Sequence, residues 1–185
     1  RQLEFKNQKV RGNLMRIGEV PEQLLDQIME PIVGMDETEG LGGPYHYRNK
    51  AQFPIGTDKD DNIVTGFYAG RTHSIISNTN CALGVEINEQ ILKLILEFMK
   101  EYHISAYDEG KHQGLVRHVL IRYGFTTKEI MVCLVINGGG LPHGEVLAKR
   151  LAKIEGMTSV TLSINKEKTN VIMGNVIKPL WGQMY

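Results

Sequence analysis

The strongest constraint on the fold is the apolar run IMVCLVI at residues 130–136. A strand with one face in water alternates apolar and polar residues, whereas this run is apolar on both faces. It therefore predicts a strand at the centre of a sheet. A second strand-like run at residues 115–123 precedes it, and the turn residues 124–128 lie between them. The two runs are predicted to pair as a hairpin.

A helix and a further strand are predicted after this hairpin. Pro142 suits a first helical turn, and the apolar face that follows ends at Gly156. Residues 160–164 alternate as in a strand, and residues 171–173 follow a turn at 166–169. This order of elements predicts an α+β fold, with antiparallel or mixed sheets and packed helices.

The first half of the chain predicts an antiparallel meander of three strands, at residues 47–55, 63–69 and 72–76. A polar turn joins the first two strands, and Gly70 breaks the second from the third. After Cys81, Asn88 is a good N-cap residue for a helix. The apolar residues of that helix form one stripe: Ile87, Ile91, Leu94, Ile95, Phe98 and Tyr102.

The amino-terminal segment predicts a basic amphipathic helix from Leu3 to Ile17 that ends at Gly18. Residues 24–32 read as a short helix or an irregular packing segment, and the glycine-rich residues 40–44 read as a loop. The chain starts at Arg1 without an initiator methionine, so we expect a piece of a longer protein.

Three regions are predicted from these patterns: 1–43, a basic helix with its connecting segment; 44–105, the meander and its helix; and 106–185, the second α+β half. A short linker at the second boundary, near residues 106–114, also permits one continuous core across the last two regions.

Composition limits the partners. The chain has 21 basic and 21 acidic residues, so any affinity for RNA or membranes must come from a local patch. Two cysteines give no disulfide framework and suit a reducing compartment. No apolar run approaches the roughly 18 residues of a membrane span, and no signal peptide is visible. We therefore expect a cytoplasmic protein without a membrane partner.

The first meander strand carries a local patch of this kind. Arg48, Lys50 and Gln52 point to one face because side chains alternate along a strand, and Arg71 follows the aromatic residues of the second strand. Cations interleaved with rings are what a nucleic-acid surface needs, since charge binds phosphate and rings stack on bases. A solvated sheet face produces the same pattern.

Two other features have candidate chemistry. Cys81 follows a polar run and precedes a helix, where the dipole favours a thiolate, but zinc needs three or four ligands that the sequence does not cluster. Cys133 lies in an apolar strand and reads as a small core residue. Residues 138–140 are three glycines between a strand and a helix, as in phosphate-binding loops, but the spacing is poor and the P-loop lysine is absent.

Five blocks resemble one family in order and spacing: YRNKAQFPIG, GFYAGRTHSII, the Cys81 that follows it, RHVLIRYGFTTKEIMVCLVING and KTNVIMG. The resemblance is to the RNA 5-methyluridine methyltransferases, most closely the bacterial 23S ribosomal RNA (uracil-5-)-methyltransferases. It extends over nearly the whole chain.

The resemblance implies a three-domain parent: an oligonucleotide-binding barrel, a central domain with an iron–sulfur cluster, and a Rossmann-like domain that binds S-adenosylmethionine. This chain resembles the central domain. In the family a fourth cluster ligand resembles Cys81, and three come from a Cys-rich run before a segment resembling Arg1 to Gly18. A [4Fe–4S] cluster normally needs four thiolates, so we do not expect one to assemble on this chain.

The family's catalytic cysteine has a Ser-Cys-Asn-Pro context that is absent here, so the chain is expected to be inactive alone. The resemblance implies RNA placement instead, with ribosomal RNA and the flanking domains as partners. Phosphate contacts are expected from Arg48, Lys50 and Arg71, and stacking from Tyr47 and Tyr68. Two alternatives are a structural linker between domains and a small-ligand regulatory module built on the turn at 138–140.

Overall fold

The computed structural model describes residues 1–35 and 43–183, so the predicted loop at 40–44 lies partly outside the described residues. The chain divides into two compact units, Arg1–Pro44 and Tyr45–Tyr185. The elements are α1 (Gln2–Arg16), α2 (Glu22–Ile28), β1 (Lys50–Thr57), β2 (Ile63–Tyr68), β3 (Ile75–Ser77), α3 (Ile87–Glu101), β4 (Val116–Tyr123), β5 (Ile130–Ile136), α4 (Gly144–Leu151), β6 (Met157–Ile164) and β7 (Val176–Gly182).

The first unit holds α1 and α2. Helix α1 confirms the predicted amino-terminal helix, but none of its residues is buried, and its apolar stripe is exposed. Arg11 of α1 pairs with Glu22 at 3.1 Å and with Asp26 at 2.6 Å. These surface ion pairs join α1 to α2, whose one buried residue is Leu25.

The second unit is built on a seven-stranded sheet with the order β3-β2-β1-β4-β5-β6-β7. Neighbouring strands are antiparallel except β5 and β6, which are parallel and connected through α4. The prediction of a mixed α+β fold is confirmed. So is the interior position of β5, which pairs with β4 on one side and with β6 on the other.

Helices α3 and α4 share one core with a single face of the sheet. In one row across that sheet face, Phe53, Val119, Leu134 and Leu162 are paired in register and buried. Each fully buried side chain of this size contributes roughly 1.5–3 kcal/mol. This core fixes the positions of the strand ends and loops that carry the candidate site.

Four sequence-based boundaries were wrong. Strand β1 begins at Lys50, because residues 46–48 pair with residues 82–84 instead. The third strand lies at Ile75–Ser77, and α3 begins at Ile87 with Glu86 as its N-cap, which leaves Asn88 buried inside the first turn. Helix α4 ends at Leu151, before Gly156.

Strand β7 was not predicted. It contains Pro179, which cannot donate to a ladder and therefore argues against a central strand, but β7 is an edge strand paired only on its β6 side. Among the described residues, no helix is long and apolar enough to cross a membrane.

Candidate nucleic-acid interface

The segment of Tyr47 and Arg48 lies beside the loop of Cys81. The His46 amide donates to the Ala82 carbonyl at 2.8 Å, and the Arg48 amide donates to the Leu83 carbonyl at 2.9 Å. The Gly84 amide closes the loop on the Cys81 carbonyl at 3.0 Å. The structure therefore brings the predicted cations of this strand and the predicted ligand Cys81 to the same region.

Lys50 stands directly opposite Arg122 on the β1–β4 pair. Both side chains are exposed, as is that of Arg48. We call Arg48, Lys50 and Arg122 the cationic edge. Within residues 1–35 and 43–183 none of the three makes a side-chain ion pair. Sequence reasoning missed Arg122, because only the non-local β1–β4 register places it beside Lys50.

Tyr68, Arg71 and His73 lie on the β2–β3 hairpin. The Tyr68 hydroxyl donates to Glu109 Oε1 at 3.2 Å, and His73 Nδ1 lies 2.6 Å from Glu109 Oε2. Burial, with the adjacent Glu109 carboxylate, raises the pKa of Tyr68 to about 12. Tyr68 therefore keeps its proton and holds the hairpin to Glu109, a residue that no sequence motif indicates. Arg71 is exposed in the left-handed region, at φ 62°.

The five predicted RNA contacts fall into two groups. Tyr68 and His73 line a cavity of about 340 Å³ together with residues 55–57 at the end of β1. Lys50 is at the other end of that strand, five residues before Ile55, which corresponds to about 17 Å. Tyr47, Arg48 and Lys50 therefore form one group, and Tyr68 and Arg71 form another.

The cysteines do not fit an iron–sulfur cluster by themselves. Cys81 is half-buried in a loop that precedes α3, six residues before the first residue of the helix. Cys133 lies on β5, where burial raises the pKa of the thiol. Among the described residues, no group of three or more His, Cys, Asp or Glu could hold a metal ion. Because a cluster needs about four thiolates, the two cysteines of this chain are too few to hold one.

The glycine turn at 138–140 lies between β5 and α4, as predicted. Gly139 and Gly140 are exposed and open to solvent. The Lys178 ammonium donates to the Gly139 carbonyl at 2.9 Å. This contact places the positive charge of Lys178 beside the turn.

No protein-family model matches the chain. It is 39% identical over 183 residues to an uncharacterized RNA methyltransferase of Clostridium tetani, covering 98% of this chain and 37% of that protein. It is also 39% identical over 185 residues to one of Halalkalibacterium halodurans, covering 100% of this chain and 38% of that protein. The chain thus spans less than two fifths of the length of these curated relatives.

A solved structure shows the same fold. The tRNA (uracil-54, C5)-methyltransferase of Pyrococcus abyssi, in complex with S-adenosyl-L-homocysteine, matches with a TM-score of 0.69 and 24% identity. The match covers 98% of this chain and 38% of that one.

Along its whole length, the chain is similar to part of proteins that are named as RNA methyltransferases. The family resemblance inferred from the motifs is confirmed at this level.

Proposed function

We propose that this chain is the central, RNA-orienting segment of an S-adenosylmethionine-dependent RNA (uracil-5-)-methyltransferase, and that RNA binds at the cationic edge. The observation that carries the proposal is the placement of Lys50 opposite Arg122 with both side chains in solvent. Homology to proteins named as RNA methyltransferases supplies the class of ligand.

The energetics favour an anionic ligand at this edge. Like charges directly opposite on antiparallel strands are destabilising, at the scale of about 0.2–1 kcal/mol per pair. A phosphate placed between them reverses the sign of the interaction. Arginine adds a planar fork of donors that matches phosphate oxygens. Arg48 lies just before the start of β1 and so lengthens the cationic edge along which the RNA backbone binds.

The second group supplies a further contact. Arg71 is exposed on the β2–β3 hairpin and serves as the second phosphate contact. Tyr68 is 39% exposed and its hydroxyl is held by Glu109, so its ring is a pre-oriented surface for base stacking. Tyr47 is half-buried beside Arg48 and is the stacking partner of the first group. An RNA strand that contacts both groups must extend along β1.

The chemistry belongs to the whole protein. S-adenosylmethionine, when bound there, supplies the methyl group, and this chain positions the RNA. Ribosomal RNA is the substrate that the motif resemblance implies, whereas the Pyrococcus abyssi protein acts on tRNA. Both RNAs therefore belong in the test. Cys81 is proposed as one cluster ligand of the longer protein, with three thiolates from outside this chain.

Flanking domains are the second class of partner. The edge strand β7 exposes three large apolar side chains, Val176, Ile177 and Trp181. Exposed apolar residues that are grouped on one strand favour docking to other protein. This observation supports the alternative of a structural linker, in which the chain joins domains and the cationic edge never contacts RNA.

The test measures binding of the chain to a 23S ribosomal RNA fragment and to a tRNA, by fluorescence polarisation over a salt series. We expect Lys50→Gln and Arg122→Gln each to weaken binding and to reduce the salt slope by about one. Lys153→Gln is the matched control, because Lys153 is an exposed lysine after α4. Binding that ignores both edge variants overturns the RNA proposal and leaves the linker.

A further inference from the structure

Arg117 is a buried cation at the start of β4. The residue is only 3% exposed. Its Nη1 atom donates to the carbonyl oxygens of Asn165 at 3.0 Å and Glu167 at 2.8 Å. The guanidinium carbon lies 4.4 Å from the centroid of the Tyr107 ring. Nε is buried and has no hydrogen-bond partner among the described residues.

This guanidinium makes no ion pair in the described part of the chain. No carboxylate oxygen of residues 1–35 or 43–183 lies within the 4.0 Å of an ion pair with it. A buried charge is costly unless it is both paired with an opposite charge and hydrogen-bonded, and carbonyl oxygens supply only the hydrogen bonds. The arrangement therefore favours an anion from outside the chain.

A cavity of about 380 Å³ gives such an anion access to Arg117. Its lining includes Arg117, Tyr107, His73, Glu109, Lys168 and Thr169. Lys168 is exposed at the mouth and contributes a second positive charge. The N–H groups of Arg117 that do not bond to carbonyls, the lysine ammonium and the threonine hydroxyl are donors of the kind that tetrahedral oxyanions need.

One carboxylate also lines the cavity and opposes an anion. Both oxygens of Glu109 are engaged, Oε1 by the Tyr68 hydroxyl and Oε2 by His73 Nδ1. The glutamate is thus held toward the β2–β3 hairpin. Its charge lowers the affinity of the cavity for an anion but does not block the cavity. This opposition provides a test that a purely structural Arg117 does not predict.

We propose that the Arg117 cavity binds one phosphate group, either free phosphate or a phosphate of an RNA backbone. The inference goes beyond the proposed function, since free phosphate needs neither RNA nor the cationic edge. Arg117 forms the charged wall of the site, and Lys168 closes its open side.

The first experiment titrates the 185-residue chain with inorganic phosphate by calorimetry, against sodium chloride of equal ionic strength. Lys168→Glu is expected to weaken phosphate binding about five-fold or more, whereas Lys153→Glu, the same charge reversal at an exposed lysine after α4, changes it less than about two-fold. Glu109→Gln is expected to tighten binding. Arg117→Lys keeps the positive charge but loses the planar guanidinium. Provided that circular dichroism shows this variant to be folded, its affinity for phosphate should fall about ten-fold.

The second experiment separates the two sources of phosphate. If an RNA phosphate occupies the cavity, Lys168→Glu weakens RNA binding and free phosphate competes with RNA. If RNA binding is unchanged while phosphate still binds, free phosphate is the ligand. No heat at millimolar phosphate, or equal binding by Lys168→Glu and the wild type, overturns the inference. The Lys50 and Arg122 variants test the proposed function separately, because neither residue lines this cavity.

Discussion

Lys50 and Arg122 face each other across the antiparallel β1–β4 pair, lysine at the first position of its strand and arginine near the end of its partner. Two exposed cations in this register act against folding and in favour of anion binding. The stability of the sheet and its affinity for RNA should therefore respond in opposite directions to one substitution.

Replacing Arg122 by glutamate tests this opposition. Arg122→Glu converts the repulsive pair into an attractive one, and we expect the free energy of unfolding to rise by about 0.2–1 kcal/mol. The same variant should bind RNA more weakly than the wild type. Urea denaturation measures the first quantity and fluorescence polarisation the second. A loss of both stability and affinity contradicts the relationship, and Lys153→Glu is the control for the change in net charge.

Gly66 should tolerate no side chain. A Cβ at Gly66 would lie under 3.0 Å from the Ile76 carbonyl oxygen and the Asn78 amide nitrogen, so β2 and β3 would have to separate. We expect Gly66→Ala to lower the free energy of unfolding by about 1–3 kcal/mol. Gly70 on the same hairpin has open space around the equivalent position. Gly70→Ala should change stability by less than about 0.5 kcal/mol in the same denaturation experiment.

His118 should make the chain sensitive to acid. Burial, with the positive charge of Arg117, lowers the pKa of His118 to about 4, while the Glu109 charge acts in the opposite direction. Between the ordinary pKa of about 6.5 and this value, the unfolded chain binds the proton more strongly than the folded chain. The neutral imidazole therefore contributes stability that is present above about pH 6.5 and is lost as the pH falls toward 4.

The measurement compares unfolding free energies of the wild type and His118→Gln from pH 7 to pH 4. Over this range we expect the wild type to lose about 3 kcal/mol more than the variant. Other titrating groups are common to both chains and cancel in the difference. Parallel pH profiles would contradict the assignment.

The two thiols should differ in reactivity. Burial raises the pKa of Cys133, and its strand is interior, so alkylation at neutral pH should be slow. Both side chains are half-buried, but Cys81 lies in a loop and should react first. Mass spectrometry after timed iodoacetamide labelling locates each adduct, and Cys81→Ser should remove the fast phase. Faster labelling at Cys133 would show that its strand opens.

Local patterns were sufficient for most elements. The apolar run at 130–136 predicted an interior strand because it lacks polar alternation, and β5 is interior in the strand order, although Met131 and Cys133 on its second face are only partly buried. The stripe of α3 likewise follows from helical spacing, although Leu92 and Met99 are also buried. The start of β1 was misplaced because residues 46–48 were assigned from alternation, whereas their hydrogen bonds go to residues 82–84.

The sequence by itself determined the order and type of most elements, the α+β class, the cations of the first meander strand and the family resemblance, because periodicity and motifs are local properties of the chain. Only the tertiary structure decided that Arg122 joins Lys50, that Glu109 holds Tyr68 and His73, and that Arg117 is buried without an ion pair to any described residue. The first two contacts join residues that lie 36 or more positions apart, and the third depends on the packing of a cavity wall. Strand register and loop packing set such contacts, so no local pattern in the sequence indicates them.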